Sequence, residues 1–200
     1  MRVREGAGEL VLTVENVDLM EALARRESMR DYFLIALMSR RGLRVGTITG
    51  SKGRTTYVRK KTGEKVTVDV NLPGIRKSDL KADGLLVHEK GHLIRTVALP
   101  KQLLEELKEN TTSFKPNELL IPITRRQAFN ICLKYAKLAG IENWERMHPH
   151  RLRHFFGTYM ARKLGRDPWK LKSLMGHKDL RMTMIYVENL SVEEEKEVLG

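Results

Sequence analysis

From His148 to Tyr186 the chain reads HPHRLRHFFGTYMARKLGRDPWKLKSLMGHKDLRMTMIY, and this stretch narrows the possible folds more than any other. Pro149 predicts a helix start, because its missing N–H would be unbonded in the first turn anyway. From there His150, Arg153 and His154 fall at i, i+3 and i+4 and share one helical face. Leu152, Phe156, Tyr159 and Met160 fall on the opposite face, available for burial. A helix divided in this way packs on one side and presents imidazole and guanidinium on the other. Its N-terminus carries free N–H groups and partial positive charge, which favour an anion. Asp167 and Pro168 read as N-cap and N1 of a second, short helix that Gly176 ends. His177 follows at once, and Tyr186 comes nine residues later.

The rest of the chain is compatible with one domain. Its 200 residues can bury one good core, and 41% hydrophobic with 31% charged residues marks a folded chain rather than a disordered one. No apolar run is long enough to span a membrane, and the basic N-terminus lacks a signal peptide's apolar segment, so the expected compartment is the cytoplasm. The one cysteine, Cys132, excludes an internal disulfide and reads as a small core residue. A net charge of +12 points to a polyanionic partner.

Residues 1–9 read as a lead or linker, and Leu10 to Val14 as a short strand. Helical periodicity runs from about Asn16 to Arg26. Ser28 and Asp31 form a capping pair for a buried helix carrying Tyr32, Phe33, Ile35, Ala36 and Met38, with Gly42 at its end. Thr55 to Arg59 and Val66 to Val70 alternate like strands around a turn at 61–64, predicting a β-hairpin over 51–72. That hairpin is dense in cations: Lys52, Arg54, Arg59, Lys60, Lys61 and Lys65. Leu85 to His88 and Leu93 to Leu99 read as strands joined by a turn at 89–92. A helix follows from Pro100 to Lys108. Thr124 and Gln127 cap another helix through Ala139. Ser191 and Glu194 would cap a tail helix within 187–200.

HRLRH, then LMGH, then a tyrosine nine residues on, resembles the C-terminal half of the tyrosine recombinase (integrase) family. RRGLRVGTI resembles that family's first arginine box, with Arg44 as its arginine. Gly46 and Thr47 stand where the family has a serine and an acid that commonly steadies the site. The strand–KG–strand–helix order around Lys90 resembles the family hairpin whose tip bears the catalytic lysine. The resemblance covers about residues 10–190 apart from the inserted hairpin. It implies a mainly helical α+β catalytic domain with a small antiparallel sheet and one extra β-hairpin. It also implies that the N-terminal core-binding domain usual in the family is absent from these 200 residues.

The implied chemistry is site-specific cleavage and rejoining of DNA. A phosphodiester repels nucleophiles, so the reaction needs cations around its equatorial oxygens and in-line positioning. Arg44 and Arg153 offer planar forks of donors, and His150 and His177 add hydrogen bonds or accept a proton. By the resemblance Tyr186 is the nucleophile, forming a 3′-phosphotyrosine, and Lys90 protonates the departing 5′ oxygen. Neither metal nor ATP is required. The partner is double-stranded DNA, on which the chain forms a homo-oligomer, a tetramer, from monomers. Lys52, Arg54, Arg95, Arg125, Arg126, Arg151, His154, Lys170 and Lys172 are the expected DNA contacts. A metal site among His148, His150, His154 and His177 is disfavoured. HRLRH lacks the acidic base of HExxH and holds cations where a dication would be repelled. The alternatives are a relaxing enzyme of the type IB topoisomerase kind and an inactive DNA-binding regulator.

Overall fold

In the computed structural model, residues 10–59, 62–89 and 93–187 are described. The first helix, α1 (Val14–Glu27), starts earlier than its periodicity suggests. A reciprocal capping box sets its origin: the Thr13 side chain accepts from the Asn16 N–H and the Asn16 side chain from the Thr13 N–H, each at 3.2 Å. The strand expected at Leu10 to Val14 is therefore not formed. Its β-branched residues give way to the cap, and Leu10 packs into the core instead.

Helix α2 (Met29–Ser39) starts at Ser28, as its capping pair predicts, and every residue from Asp31 to Ser39 is buried. It packs against α1 on one side and against α5 (Arg125–Leu138) and α6 (Pro149–Lys163) on the other. Side chains such as Leu34, Ile35, Leu37 and Met38 are fully buried, each worth about 1.5–3 kcal/mol of transfer free energy. This central helix fixes where the chain emerges at Gly42 and Arg44, just before the five-residue helix α3 (Val45–Thr49).

The sheet is two separate antiparallel hairpins. Strands β1 (Ser51–Val58) and β2 (Lys65–Leu72) pair from Ser51 opposite Leu72 to Val58 opposite Lys65, as expected of the basic insertion. Strands β3 (Gly84–Glu89) and β4 (Leu93–Ala98) pair from Gly84 opposite Ala98 to Glu89 opposite Leu93. Glu89 thus closes a strand instead of opening a turn. Lys90, and the tail helix expected within 187–200, lie outside the described residues. Helix α4 (Lys101–Asn110) follows Pro100, and the Leu119 to Ile123 link buries Leu120, Ile121 and Ile123.

The C-terminal elements form a second, smaller core. Helix α7 (Pro168–Met175) begins at Asp167, whose side chain accepts from the N–H groups of Trp169 and Lys170, and ends at left-handed Gly176. Helix α8 (Arg181–Val187) folds back on α6 and α7. Phe156, Ala161, Leu171 and Met175 are buried here, with Tyr186 and Val187 packed against them.

Candidate active site

The segment Arg40 to Arg44 sends three guanidiniums in different directions. Arg40 turns outward, to Asp18 at 2.7 Å and Glu21 at 2.8 Å. Arg41 turns inward and donates to the Leu174 carbonyl at 2.8 Å. Arg44 caps α3 and donates through Nη1 to Glu89 Oε1 at 3.2 Å. Between them Gly42, at φ +69°, leaves room for the Phe156 ring, which an added Cβ would meet at 2.3 Å.

Arg153 also reaches inward from α6. It donates through Nη1 to the Gly42 carbonyl and through Nη2 to the Met175 carbonyl at 2.9 Å. It is 6% exposed, so the helical face expected to present it to solvent buries it instead. Arg95 donates to Glu89 Oε2 at 3.2 Å and to the Ser173 carbonyl at 3.3 Å. Three consecutive carbonyls at the end of α7, those of Ser173, Leu174 and Met175, therefore each hold one guanidinium. The last carbonyls of a helix lack intrahelical donors and carry partial negative charge, which suits them to this task. Gly176 makes the approach possible: a Cβ there would lie 2.5 Å from both Arg95 Nη2 and Glu89 Oε2.

The imidazoles and the phenol border this cluster. His177 is buried, and its Nδ1 is 3.0 Å from Thr183 Oγ1. The Tyr186 ring stacks on His177 with centroids 6.1 Å apart and planes 16° apart. Its hydroxyl is hydrogen-bonded to His154 Nδ1 at 3.1 Å. Gly157 admits the phenol, since a Cβ at that position would sit 2.6 Å from the Tyr186 ring. His150 lies on the exposed face of α6 beside His148, ring centroids 6.3 Å apart.

Burial and mutual repulsion shape the electrostatics. The guanidinium pKa of Arg153 is pushed down to about 10, by burial first and then by Arg44, and that of Arg41 to about 10, by burial and then Arg95. Both remain protonated at neutral pH. The His177 pKa falls to about 4, through burial and then Arg153, Arg44 and Arg95. His150 is lowered too, by burial and by neighbouring charges that include Arg153 and Arg44. Burial raises the Tyr186 pKa while Arg153 and Arg44 oppose it. Arg44, Arg153, His150, His177 and Tyr186 thus share one electrostatic neighbourhood. Arg44 and Arg95 bond to the Glu89 carboxylate, whose charge also acts on Arg41 and Arg153. Such a surplus of fixed positive charge favours an anion with several acceptor oxygens.

The model of the phage integrase family matches residues 11–192. The chain belongs to the phage integrase family. It is 28% identical over 204 residues to a tyrosine recombinase of Pseudothermotoga lettingae, an alignment covering 98% of this chain and 60% of that protein. It is 32% identical over 142 residues to the tyrosine recombinase XerA of Thermococcus kodakarensis, covering 62% of this chain and 49% of that one. The chain therefore spans only part of these relatives' length. In fold it is similar to the crystal structure of XerA recombinase, with a TM-score of 0.70 at 18% identity over 98% of this chain and 64% of that chain. It is also similar to XerH recombinase in its pre-cleavage complex with difH substrate, with a TM-score of 0.67 at 20% identity over 96% of this chain and 53% of that chain.

The remaining expected contacts of this integrase-family chain divide into two groups. Lys52, Arg54 and Arg125 line a cleft of about 390 Å³ with Arg44, Thr47 and His150. Gly46 is what admits Arg125, because a Cβ at 46 would meet its Nη2 at 2.3 Å. Others sit apart from the cleft: Arg126 lies over the Phe129 ring, Lys170 pairs with Asp167 at 3.4 Å, and Lys172 lies over Trp169. Arg151 is half-buried. Arg95 and His154, also expected on DNA, contact Glu89 and Tyr186 within the chain. Sequence reading misses Arg41, Glu89 and Thr183. Of these only Glu89, directly before the lysine of the KG turn, carried a usable signal. No helix among the described residues is long and apolar enough to cross a membrane.

Proposed function

We propose that this chain is the catalytic region of a site-specific DNA recombinase and cleaves one strand through Tyr186. The observation that carries the reading is the position of the Tyr186 phenol. It is stacked on His177 and lies within the field of Arg44 and Arg153, the two guanidiniums suited to a phosphate's equatorial oxygens. On this reading the phenolic oxygen attacks phosphorus and forms the 3′-phosphotyrosine bond. The phenol proton is lost, and the 5′ oxygen leaves as a hydroxyl, protonated by Lys90. Because the raised pKa keeps the phenol protonated at neutral pH, its proton must depart as the bond forms. His154, whose Nδ1 lies 3.1 Å from the hydroxyl, can accept that proton in the tautomer that leaves Nδ1 unprotonated. His177, neutral at pH 7, can donate to a phosphate oxygen without adding a cation to the cluster. His150 lines the cleft together with Arg44.

Attack by a second 5′-hydroxyl on the phosphotyrosine would rejoin the strand to a new partner. Double-stranded DNA and further copies of the chain are the implied partners, with a tetramer as the recombining assembly. The basic cleft of Lys52, Arg54 and Arg125 would take phosphates next to the one attacked. Incubation with nicked suicide duplexes, whose short 5′-hydroxyl fragment diffuses away, tests the reading. A covalent protein–DNA band is expected from the unmutated chain and none from Tyr186→Phe. A chain that binds such duplexes but forms no adduct contradicts it.

A further inference from the structure

We infer that Glu89 is the positioning carboxylate of this site, taking over on strand β3 the task that an acid on α3 would otherwise perform. The inference rests on the reading of Tyr186 as a strand-cleaving nucleophile. Glu89 is 3% exposed at the end of its strand, and its two oxygens are shared between two arginines. Oε1 accepts from Arg44 and Oε2 from Arg95, both at 3.2 Å. Both arginines stay partly open, with side chains 27% and 21% exposed, so each can still reach a ligand. Arg44 uses one nitrogen on Glu89, which leaves the rest of its fork for a phosphate. Arg95 is held a second time by the Ser173 carbonyl, whereas the hydrogen bond described for Arg44 is the one to Glu89.

Helix α3 offers no substitute. Thr47 is 2% exposed, and its hydroxyl has no hydrogen-bond partner among the described residues. The fold makes space for the carboxylate through Gly176, where any Cβ would collide with Glu89 Oε2. The guanidiniums of Arg44 and Arg95 act against the charge on Arg153, and that of Arg95 against the charge on Arg41, so the cluster repels itself. A fixed anion behind them lowers that cost and aims Arg44 without filling the place of the substrate. A purely structural carboxylate would change rate only together with stability, which distinguishes it from one that aims Arg44.

The test uses nicked duplexes recovered from a randomised pool by covalent capture with the unmutated chain. Single-turnover adduct formation is measured at saturating DNA, together with affinity and thermal unfolding. Glu89→Gln keeps the shape and removes the charge. Its cleavage rate is expected to fall about 10²-fold, with affinity for the same duplex unchanged or tighter. Glu89→Asp keeps the charge but is too short to bridge both arginines, and is expected to lose about tenfold while remaining folded. A folded Glu89→Gln or Glu89→Asp that cleaves at the parent rate overturns the inference. So does a loss of rate that merely tracks lost affinity and stability. If Glu89→Gln does not fold, the Glu89→Asp rate decides. An unmutated chain that binds DNA without forming any adduct instead sinks the cleavage reading, and this inference with it.

Discussion

The arginine pocket and the β1–β2 hairpin are both rich in cations and opposite in structure. On the hairpin, Arg54 pairs with Asp69 at 3.3 Å, but the two side chains are 80% and 82% exposed. A pair so solvated contributes little and is screened by salt. In the pocket, Arg153 is 6% exposed and held by two carbonyls, Arg41 by one, and Arg95 by a carbonyl and Glu89. The contrast shows that charge density alone does not make a site. Burial does, by fixing each guanidinium before a substrate arrives and lowering the dielectric around it.

If that contrast is right, the largest effect belongs to Arg153. Arg153→Lys removes the planar fork that spans the Gly42 and Met175 carbonyls, and adduct formation should fall about 10³-fold. Single-turnover assays measure it; a loss below about tenfold would put Arg153 on a level with the hairpin cations. Next comes the backbone that shapes the pocket. Gly42→Ala should cost about 2–4 kcal/mol in urea unfolding, because φ +69° disfavours a Cβ and the Phe156 ring already fills its place.

Acid should act on the pocket and spare the hairpin. His177, at about 4 when folded, refuses a proton that the unfolded imidazole accepts at about 6.5. Between those values the unfolded state binds more protons, so stability falls as pH falls and levels off near 4. His148 and His150 are shifted in the same direction. Melting temperatures across this range should drop for the parent and drop less steeply for His177→Gln. The smallest effect is expected on the hairpin. Lys52→Ala and Arg54→Ala should leave stability within about 0.5 kcal/mol, while removing a cation that binds phosphate lowers the salt dependence of DNA binding by about 0.9. Unchanged salt dependence would show that these cations only face solvent.

Much of this was legible from residues alone, and the exceptions have physical causes. Pro149, Asp167 and Gly176 marked the ends of α6 and α7 because each has a backbone or capping preference that acts locally. Both hairpins were legible for the same reason, from alternation and turn residues. Leu10 to Val14 misled because β-branched residues favour a strand until the capping box at Thr13 claims the backbone. Arg40 and Arg41 are identical in sequence, and only the packing of α7 decides which of them turns inward. Arg153 shares a helical face with His150, yet carbonyls 111 and 22 residues away draw it into the interior. Acceptors supplied by backbone leave no trace in residue identity. Glu89 was hidden by its neighbour: beside the KG turn it read as part of the loop, although it closes the strand.

The central claim is that the phenol of Tyr186 is delivered to a phosphate held by Arg44 and Arg153. Mass mapping of the covalent adduct tests it most directly. After digestion of protein and DNA, the nucleotide should be found on the peptide containing Tyr186, attached through its 3′-phosphate, with a free 5′-hydroxyl on the released strand. A nucleotide on any other residue, or one attached through a 5′-phosphate, would contradict that claim.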